Sequence, residues 1–463
     1  MDQLKTLDAG FLMAEDADRH VSLAIGAIAI VDGPAPNYCR FKDVLGERIR
    51  AIPRCTQKLR TQPFDLGAPK WVDDPGFDLN RHVRRVALPR PGDDSELFRV
   101  VADVLERRLD RDRPLWECWV IEGLRGRRWA MLMKVHHCVA DGISATRILT
   151  RLCDAADGEE FAQLPRTTGT VRTQPHLAPV PQPAGRRRID NLWRAATALT
   201  DTTVRTISGA AEIAGSLIRP AADSSLVGPV TATRRYRAVH VARADVEEVC
   251  RKFNVTINDV ALTAITAGFR SVLLHRGEQP RADSLRTLVP VSVRSPEALD
   301  TPDNRISIML PYLPVEQDDP IQQLLSVRTR LTRAKRGGQR QAGSMFTSAA
   351  NYIPFMVLSL VIRLLTRLPQ RGIVTLATNV PGPRRPLRVM VGNVVRVLPI
   401  PPIALQLRTG VAVLSYADDL VFGITADYNA ASDLDELADG IGAALARLEA
   451  LSQDSGSILL FAQ

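Results

Sequence analysis

Apolar and polar positions follow two periods along this chain. At residues 41–52 and 96–108 apolar side chains recur at helical spacing, which predicts two helices. Residues 21–31 and 129–135 are apolar runs of strand character. The second, Trp129-Ala130-Met131-Leu132-Met133-Lys134-Val135, suits a core strand. Together these predict one compact α/β unit over residues 1–165. The pattern then breaks, because Pro165, Pro175, Pro179, Pro181 and Pro183 crowd a stretch with few apolar residues. Proline fixes φ and removes a backbone donor, so this reads as an extended linker. An amphipathic stretch follows from Ile189 to Ile218, with Ile189, Leu192, Trp193, Ala196, Leu199, Val204 and Ile207 near helical spacing. Arg186-Arg187-Arg188 heads it, so it reads either as a helix packed between two domains or as one lying on an anionic membrane. Residues 166–233 are thus a connection. A second α/β unit occupies 234–463, with strands at 236–241, 287–293, 373–378 and 411–416. In it Thr256-Ile257-Asn258-Asp259 opens a helix to about His275, with capping-box spacing between Thr256 and Asp259.

Composition changes this picture little. Of 463 residues 45% are hydrophobic and 24% charged, which suits a globular protein and excludes wholesale disorder. The six cysteines show no Cys-x-x-Cys spacing and no zinc-like cluster with histidine, so free thiols and no metal are expected. The first residues lack a signal pattern, and the longest apolar run, 353–362, is too short for a membrane span. The expectation is a cytoplasmic protein, peripherally attached to the inner membrane face or to lipid droplets. A net charge of +9 fits anionic lipid or a phosphorylated co-substrate. With 5% aromatics and no recognisable nucleic-acid motif, nucleic acid is not an expected partner.

The chemistry sits where the 129–135 strand ends, in His136-His137-Cys138-Val139-Ala140-Asp141-Gly142, before a helix over 143–152. A buried strand feeding a polar turn holds a catalytic group rigidly. General-base chemistry needs a base that is neutral near pH 7, and a desolvated histidine meets that need. Adjacent histidines do not both point into one channel, so one is the base and the other shapes the turn. Asp141 accepts from the turn or pairs with a cation. A His-His pair alone is more often structural, or a loose metal ligand; the pattern with Asp and Gly in register is far more specific.

His-His-x-x-x-Asp-Gly resembles the signature of the acyl-CoA-dependent acyltransferases. Further matches are Leu7-Asp8-Ala9-Gly10-Phe11-Leu12, Pro114-Leu115-Trp116-Glu117, Ile257-Asn258-Asp259-Val260, Leu288-Val289-Pro290-Val291-Ser292-Val293-Arg294 and Thr378-Asn379-Val380-Pro381-Gly382-Pro383. These resemble the bacterial wax ester synthase/diacylglycerol acyltransferase family, and within it the mycobacterial triacylglycerol synthases. Thr378 stands where many members have serine, with the hydroxyl kept. The resemblance implies an α/β (α+β) fold of two chloramphenicol-acetyltransferase-like domains with a tunnel at their interface. It also implies His137 as general base, His136 and Asp141 in support and Gly142 as the turn glycine. Long-chain acyl-CoA would enter as co-substrate, with no permanently bound cofactor and no acyl-enzyme. Diacylglycerol would be the acceptor, giving triacylglycerol, or a fatty alcohol, giving wax ester; the remaining alternative is a non-catalytic member that binds lipid or CoA, against which the intact His-His-x-x-x-Asp-Gly argues.

Several other residues keep two readings. Arg294 either pairs with Asp141 across the interface or ends a strand in solvent. Asn258 and Asp259 read as helix-start residues that support the site structurally. Trp116 is core or tunnel wall. Thr378 and Asn379 either donate to a developing oxyanion or cap a strand, and Ser415 is a candidate for the tunnel lining. Arg333, Lys335 and Arg336, in a basic stretch with Arg328, Arg330 and Arg340, form a funnel for CoA phosphates or a face toward lipid. The apolar run 352–365 is a core helix or a lipid entry.

Overall fold

A computed structural model of the chain describes residues 2–61, 67–154, 224–292, 306–336, 372–404 and 406–454. The first half contains α1 (Thr6–Ala17), β1 (Ala24–Asp32), α2 (Tyr38–Arg50), β2 (Gln57–Arg60), β3 (Lys70–Asp73) and β4 (Val83–Ala87). It continues with α3 (Asp94–Glu106), β5 (Trp116–Leu124), β6 (Arg128–His136) and α4 (Gly142–Leu152). The second half contains β7 (Arg234–Ala242), α5 (Arg243–Phe253), α6 (Ile257–His275), β8 (Thr287–Ser292), β9 (Ile306–Met309) and α7 (Pro320–Arg336). It ends with β10 (Thr375–Pro381), β11 (Arg388–Val389), β12 (Gly392–Ile400), β13 (Thr409–Tyr416), β14 (Asp419–Asp427) and α8 (Leu434–Gln453).

Two six-stranded sheets organise these elements. The first runs β11-β12-β1-β6-β5-β4, the second β7-β14-β13-β10-β8-β9. β6 lies inside the first sheet, antiparallel to β1 from Ala24↔His136 to Asp32↔Arg128. That position explains its apolar run, since both faces are covered. On one face Met131, Met133 and Val135 meet α2 and α4 through Phe41, Leu45, Ile148 and Leu149. On the other Ala130 and Leu132 meet α3 through Leu97, Val101 and Val104. Lys134 interrupts the run and is wholly buried. Its ammonium donates to Val104 O (2.7 Å) and Arg107 O at the end of α3, where unpaired carbonyls favour a cation. Burial pushes its pKa down to about 8.

The second sheet carries α6, α7 and α8 on one face, through Phe269, Val327 and Ile441 among others. α6 is long and apolar enough to cross a membrane by composition, but it is largely buried in this layer. Its capping box forms as the spacing predicts: Asp259 N–H donates to Thr256 Oγ1 (3.2 Å), and Thr256 N–H to Asp259 Oδ2 (2.9 Å).

The predicted helices and strands of both halves are present, with ends shifted by a few residues. The partition of the chain into 1–165 and 234–463 does not carry over to the sheets. β11 and β12 belong by sequence to the second half but complete the first sheet, with β12 antiparallel to β1 (Ala27↔Pro399, Ile28↔Leu398). The physical reason is that β1 is buried and would otherwise leave a row of backbone donors and acceptors unpaired. Most of the 166–233 connection, Arg294, Arg340 and the 352–365 run lie outside the described residues.

Candidate active site

β6 ends at His136, and the chain turns at once into α4. The turn is anchored from both sides: His136 N–H donates to Leu115 O (3.0 Å) and His137 N–H to Leu23 O (3.0 Å). Leu23 leads into β1 and Leu115 into β5, so the flanking strands hold the dipeptide. Val139 N–H closes the turn on His136 O (2.9 Å). Asp141 is the N-cap of α4, accepting from Ser144 N–H at 2.7 Å, and is buried. Asp141 thus braces the loop and starts the helix. Gly142 follows because the second half comes close: a Cβ on it would stand 2.9 Å from Val380 Cγ2.

The two histidines face different surroundings. His136 is buried, and its Nδ1 accepts from Cys138 N–H (3.1 Å). Its proton therefore sits on Nε2, which stands 3.4 Å from Glu15 Oε2. His137 is half-buried and stacks on Phe11 of α1, centroids 4.1 Å apart. Its Nδ1 is buried with no hydrogen-bond partner among the described residues, which leaves Nε2 to handle a proton. Burial holds its pKa down at about 4, against smaller opposite pulls from its own main chain and from Asp141. At pH 7 this imidazole is neutral, as a general base requires.

His137 opens into a cavity between the sheets. The first half supplies Ile25, Gly26 and Ala27 of β1 and Gly142, Ala145 and Thr146 of α4. The second supplies Pro290, Leu376, Thr378, Val380, Ala412 and Leu414, and the run Pro399 to Pro402 closes the wall. The volume bounded by described residues is about 90 Å³. That is below the several hundred Å³ of ordinary ligand pockets. It accommodates reacting groups rather than whole substrates. The lining is apolar except for His137, Thr146 and Thr378. Thr146 Oγ1 is committed to Gly142 O (2.9 Å), whereas the Thr378 hydroxyl makes no hydrogen bond among the described residues.

The other sequence candidates separate. Thr378 reaches the cavity, but Asn379 does not, because strand alternation turns it to the opposite face of β10. Ser415 is likewise turned away from Ala412 and Leu414; it accepts weakly from Gly382 N–H (3.3 Å) and lines no part of this cavity. Trp116 is core, donating from Nε1 to Cys55 O (2.8 Å) and stacking on His82. Asn258 and Asp259 start α6, as expected of structural residues. Arg333 and Lys335 lie on α7 and contribute nothing to the His137 cavity, and the Arg336 side chain is outside the described residues. Their neighbour Arg330 is paired with Glu316. Among the described residues no group of three or more His, Cys, Asp or Glu side chains is placed to hold a metal. Sequence reasoning missed Phe11, Glu15 and Arg111. Phe11 alone left a trace, inside the Leu7–Leu12 match.

Comparison with known proteins shows the family. Residues 4–261 match the wax ester synthase/diacylglycerol acyltransferase catalytic domain, and 303–449 match the WS/DGAT C-terminal domain. The "probable diacylglycerol O-acyltransferase tgs1" of Mycobacterium tuberculosis (strain H37Rv) is 57% identical, over 98% of this chain and 97% of that protein. Rv3371 of the same organism is 53% identical, over 100% and 93%. Two solved structures share the fold. One is the wax ester synthase/diacylglycerol acyltransferase from Marinobacter aquaeolei VT8 (TM-score 0.69, 24% identity, 98% of this chain and 100% of that one). The other is the first condensation domain of the calcium-dependent antibiotic synthetase (TM-score 0.62, 16% identity, 96% of each).

Proposed function

Since the chain belongs to the wax ester synthase/diacylglycerol acyltransferase family, we propose that it moves a long-chain acyl group from acyl-CoA to the free hydroxyl of a diacylglycerol, releasing CoA. The observation that carries the reading is His137, a neutral imidazole at the mouth of a rigid turn, opening into an apolar cavity walled by both sheets. The steps follow from that placement. The acceptor hydroxyl attacks the thioester carbonyl while His137 takes its proton. The tetrahedral intermediate carries a negative oxygen, then collapses and breaks the C–S bond. His137 returns the proton to the leaving sulfur, so CoA departs as a thiol and no acyl group is left on the protein. The apolar walls keep water from competing with the acceptor.

Thr378 supports the negative oxygen in this scheme. It lines the cavity from the second sheet, with a hydroxyl that makes no hydrogen bond among the described residues. Thr378→Val keeps the shape and removes the donor. The expected result is a fall in kcat of about 10²–10³-fold with little change in KM, the scale for losing one oxyanion donor. Unchanged kcat would give the role to a main-chain N–H instead.

Labelled long-chain acyl-CoA, offered with diacylglycerol in anionic vesicles or with a long-chain alcohol, tests the acceptor. Triacylglycerol as the main product is the expected outcome, and dominant wax ester would overturn the choice of acceptor. A water-insoluble acceptor also requires work at a membrane or lipid-droplet surface. The β11–β12 hairpin supports this, exposing Val391 (84%) at its turn, Val395 on β12 and Arg388 on β11. The protein should therefore float with the vesicles on a density gradient. Protein that stays at the bottom would contradict surface association.

A further inference from the structure

The turn that carries His137 rests on a carboxylate far outside the His-His-x-x-x-Asp-Gly segment. Glu15 lies in α1 and is only 1% exposed. Its Oε1 accepts from Leu23 N–H (3.0 Å), and its Oε2 from Arg111 Nη2 (2.8 Å). The same Oε2 stands 3.4 Å from His136 Nε2. One carboxylate therefore faces three groups: it accepts hydrogen bonds from two of them, while His136 Nε2 lies within ion-pair distance without a hydrogen bond. Two of them bear on the base directly: His136 precedes His137 in the chain, and Leu23 O accepts the His137 main-chain N–H. Arg111 in turn is held by Asp16 (2.9 Å) and by Leu12 O (3.2 Å) on the same helix.

The charge of Glu15 is maintained by this surround. Burial, the largest influence, raises its pKa. The neighbouring His136, then Arg111 and the Leu23 N–H, outweigh it and bring the value to about 2. Glu15 is thus ionised at any working pH, and acts as an acceptor only. That fixes the proton of His136 on Nε2, and so leaves Nδ1 free to accept from Cys138 N–H and lock the turn. Phe11, against which the His137 ring stacks, is one helical turn before Glu15 on α1. The helix that places the carboxylate also places the ring's support.

We propose that Glu15, secured by Arg111, is a positioning residue for acyl transfer: through His136 and Leu23 it sets the direction in which the His137 imidazole faces the cavity. This rests on the reading of His137 as the base. Glutamine at this position keeps the volume but removes the charge and replaces one acceptor oxygen with an amide NH2, which cannot accept from Leu23 N–H or Arg111. Aspartate keeps the charge on a shorter stem.

The test is a double-mutant cycle on the full-length chain, measuring kcat and KM with acyl-CoA and diacylglycerol. Glu15→Gln is expected to lower kcat by about 10- to 100-fold, as for partners that orient a functional imidazole, while both KM values stay within about twofold. Glu15→Asp should recover part of that loss. In a His136→Ala background the same Glu15→Gln change should cost less than about threefold, because its main route of action is already gone. A full-sized loss in that background, or a loss that appears in KM rather than kcat, would overturn the proposal and leave Glu15 a fold-stabilising acid. Should Glu15→Gln fail to fold, the Glu15→Asp cycle is read by the same criteria. Failure of the base assignment looks different: His137→Ala would then retain activity whatever stands at position 15.

Discussion

His137→Ala lowers kcat by about 10²–10⁴-fold, the contribution of a positioned general base. Melting temperature and acyl-CoA affinity change little, because the ring contributes one stacking contact and no side-chain hydrogen bond among the described residues. Steady-state assays with labelled acyl-CoA check it; activity within about threefold of wild type would remove His137 from the mechanism. The pH profile gives an independent check. Only the neutral imidazole accepts a proton, and burial moves its pKa from 6.5 to about 4. The acid limb of kcat/KM should therefore lie near pH 4, some 2.5 units (6.5 minus 4) below that of free imidazole. A limb near 6.5 would show a hydrated ring. The same shift affects stability with a definite sign. Below pH 6.5 the unfolded chain takes up a proton that the folded chain refuses until about pH 4, so this residue's stability contribution is complete above 6.5 and is lost as the pH falls through 4. In urea titrations His137→Ala should gain on wild type over that interval.

Gly423→Ala is expected to damage both stability and activity. Gly423 lies in β14 of the second sheet, where β12 of the first sheet crosses it. A Cβ there would sit 1.8 Å from Pro399 O and 2.9 Å from the Tyr236 hydroxyl. Neither backbone has freedom to yield. Pro399 is paired with Ala27, and Gly423 with Ala238 and Ala412. Overpacking of side chains costs about 1–3 kcal/mol and occasionally more. Against a fixed main-chain oxygen the upper end is expected, about 3 kcal/mol, read from urea unfolding. Ala27 and Ala412 both line the His137 cavity, so parting the strands also moves its two walls. Displacements near 1 Å cost about 10²-fold in rate. Activity per mole of folded variant should fall on that scale. Tyr236→Phe is the gentler companion: it removes only the hydrogen bond to Pro399 O (2.8 Å) and costs about 1 kcal/mol. A Gly423→Ala protein with wild-type melting and rate would mean that the two sheets do not approach this closely in solution.

Much of the active turn was legible because its determinants are local. The apolar run of β6 marks a core strand, the histidines mark its end, and Asp141-Gly142 carries both the cap of α4 and the space for its neighbour. The start of α6 was legible for the same reason, since Thr256 and Asp259 satisfy each other within one turn. Thr378 and Asn379 show where such reading stops. Both are polar, adjacent and in a rigid segment. Only the pleat of β10 decides that Thr378 lines the cavity while Asn379 is turned from it.

By itself the sequence determined the helices and strands along each half, the histidine we propose as the base and the family to which the chain belongs. Those features are written in side-chain periodicity and in residues within a turn of one another. The tertiary structure alone decided that β12 leaves its own half to pair with β1, and that Glu15 and Arg111 stand behind His136. It alone set Gly423 against Pro399. Each of these joins segments distant in the chain. Hydrophobic pattern states that a strand or a helix face must be covered; which distant segment covers it is settled by shape and by the pairing of buried polar groups, and neither leaves a periodic mark.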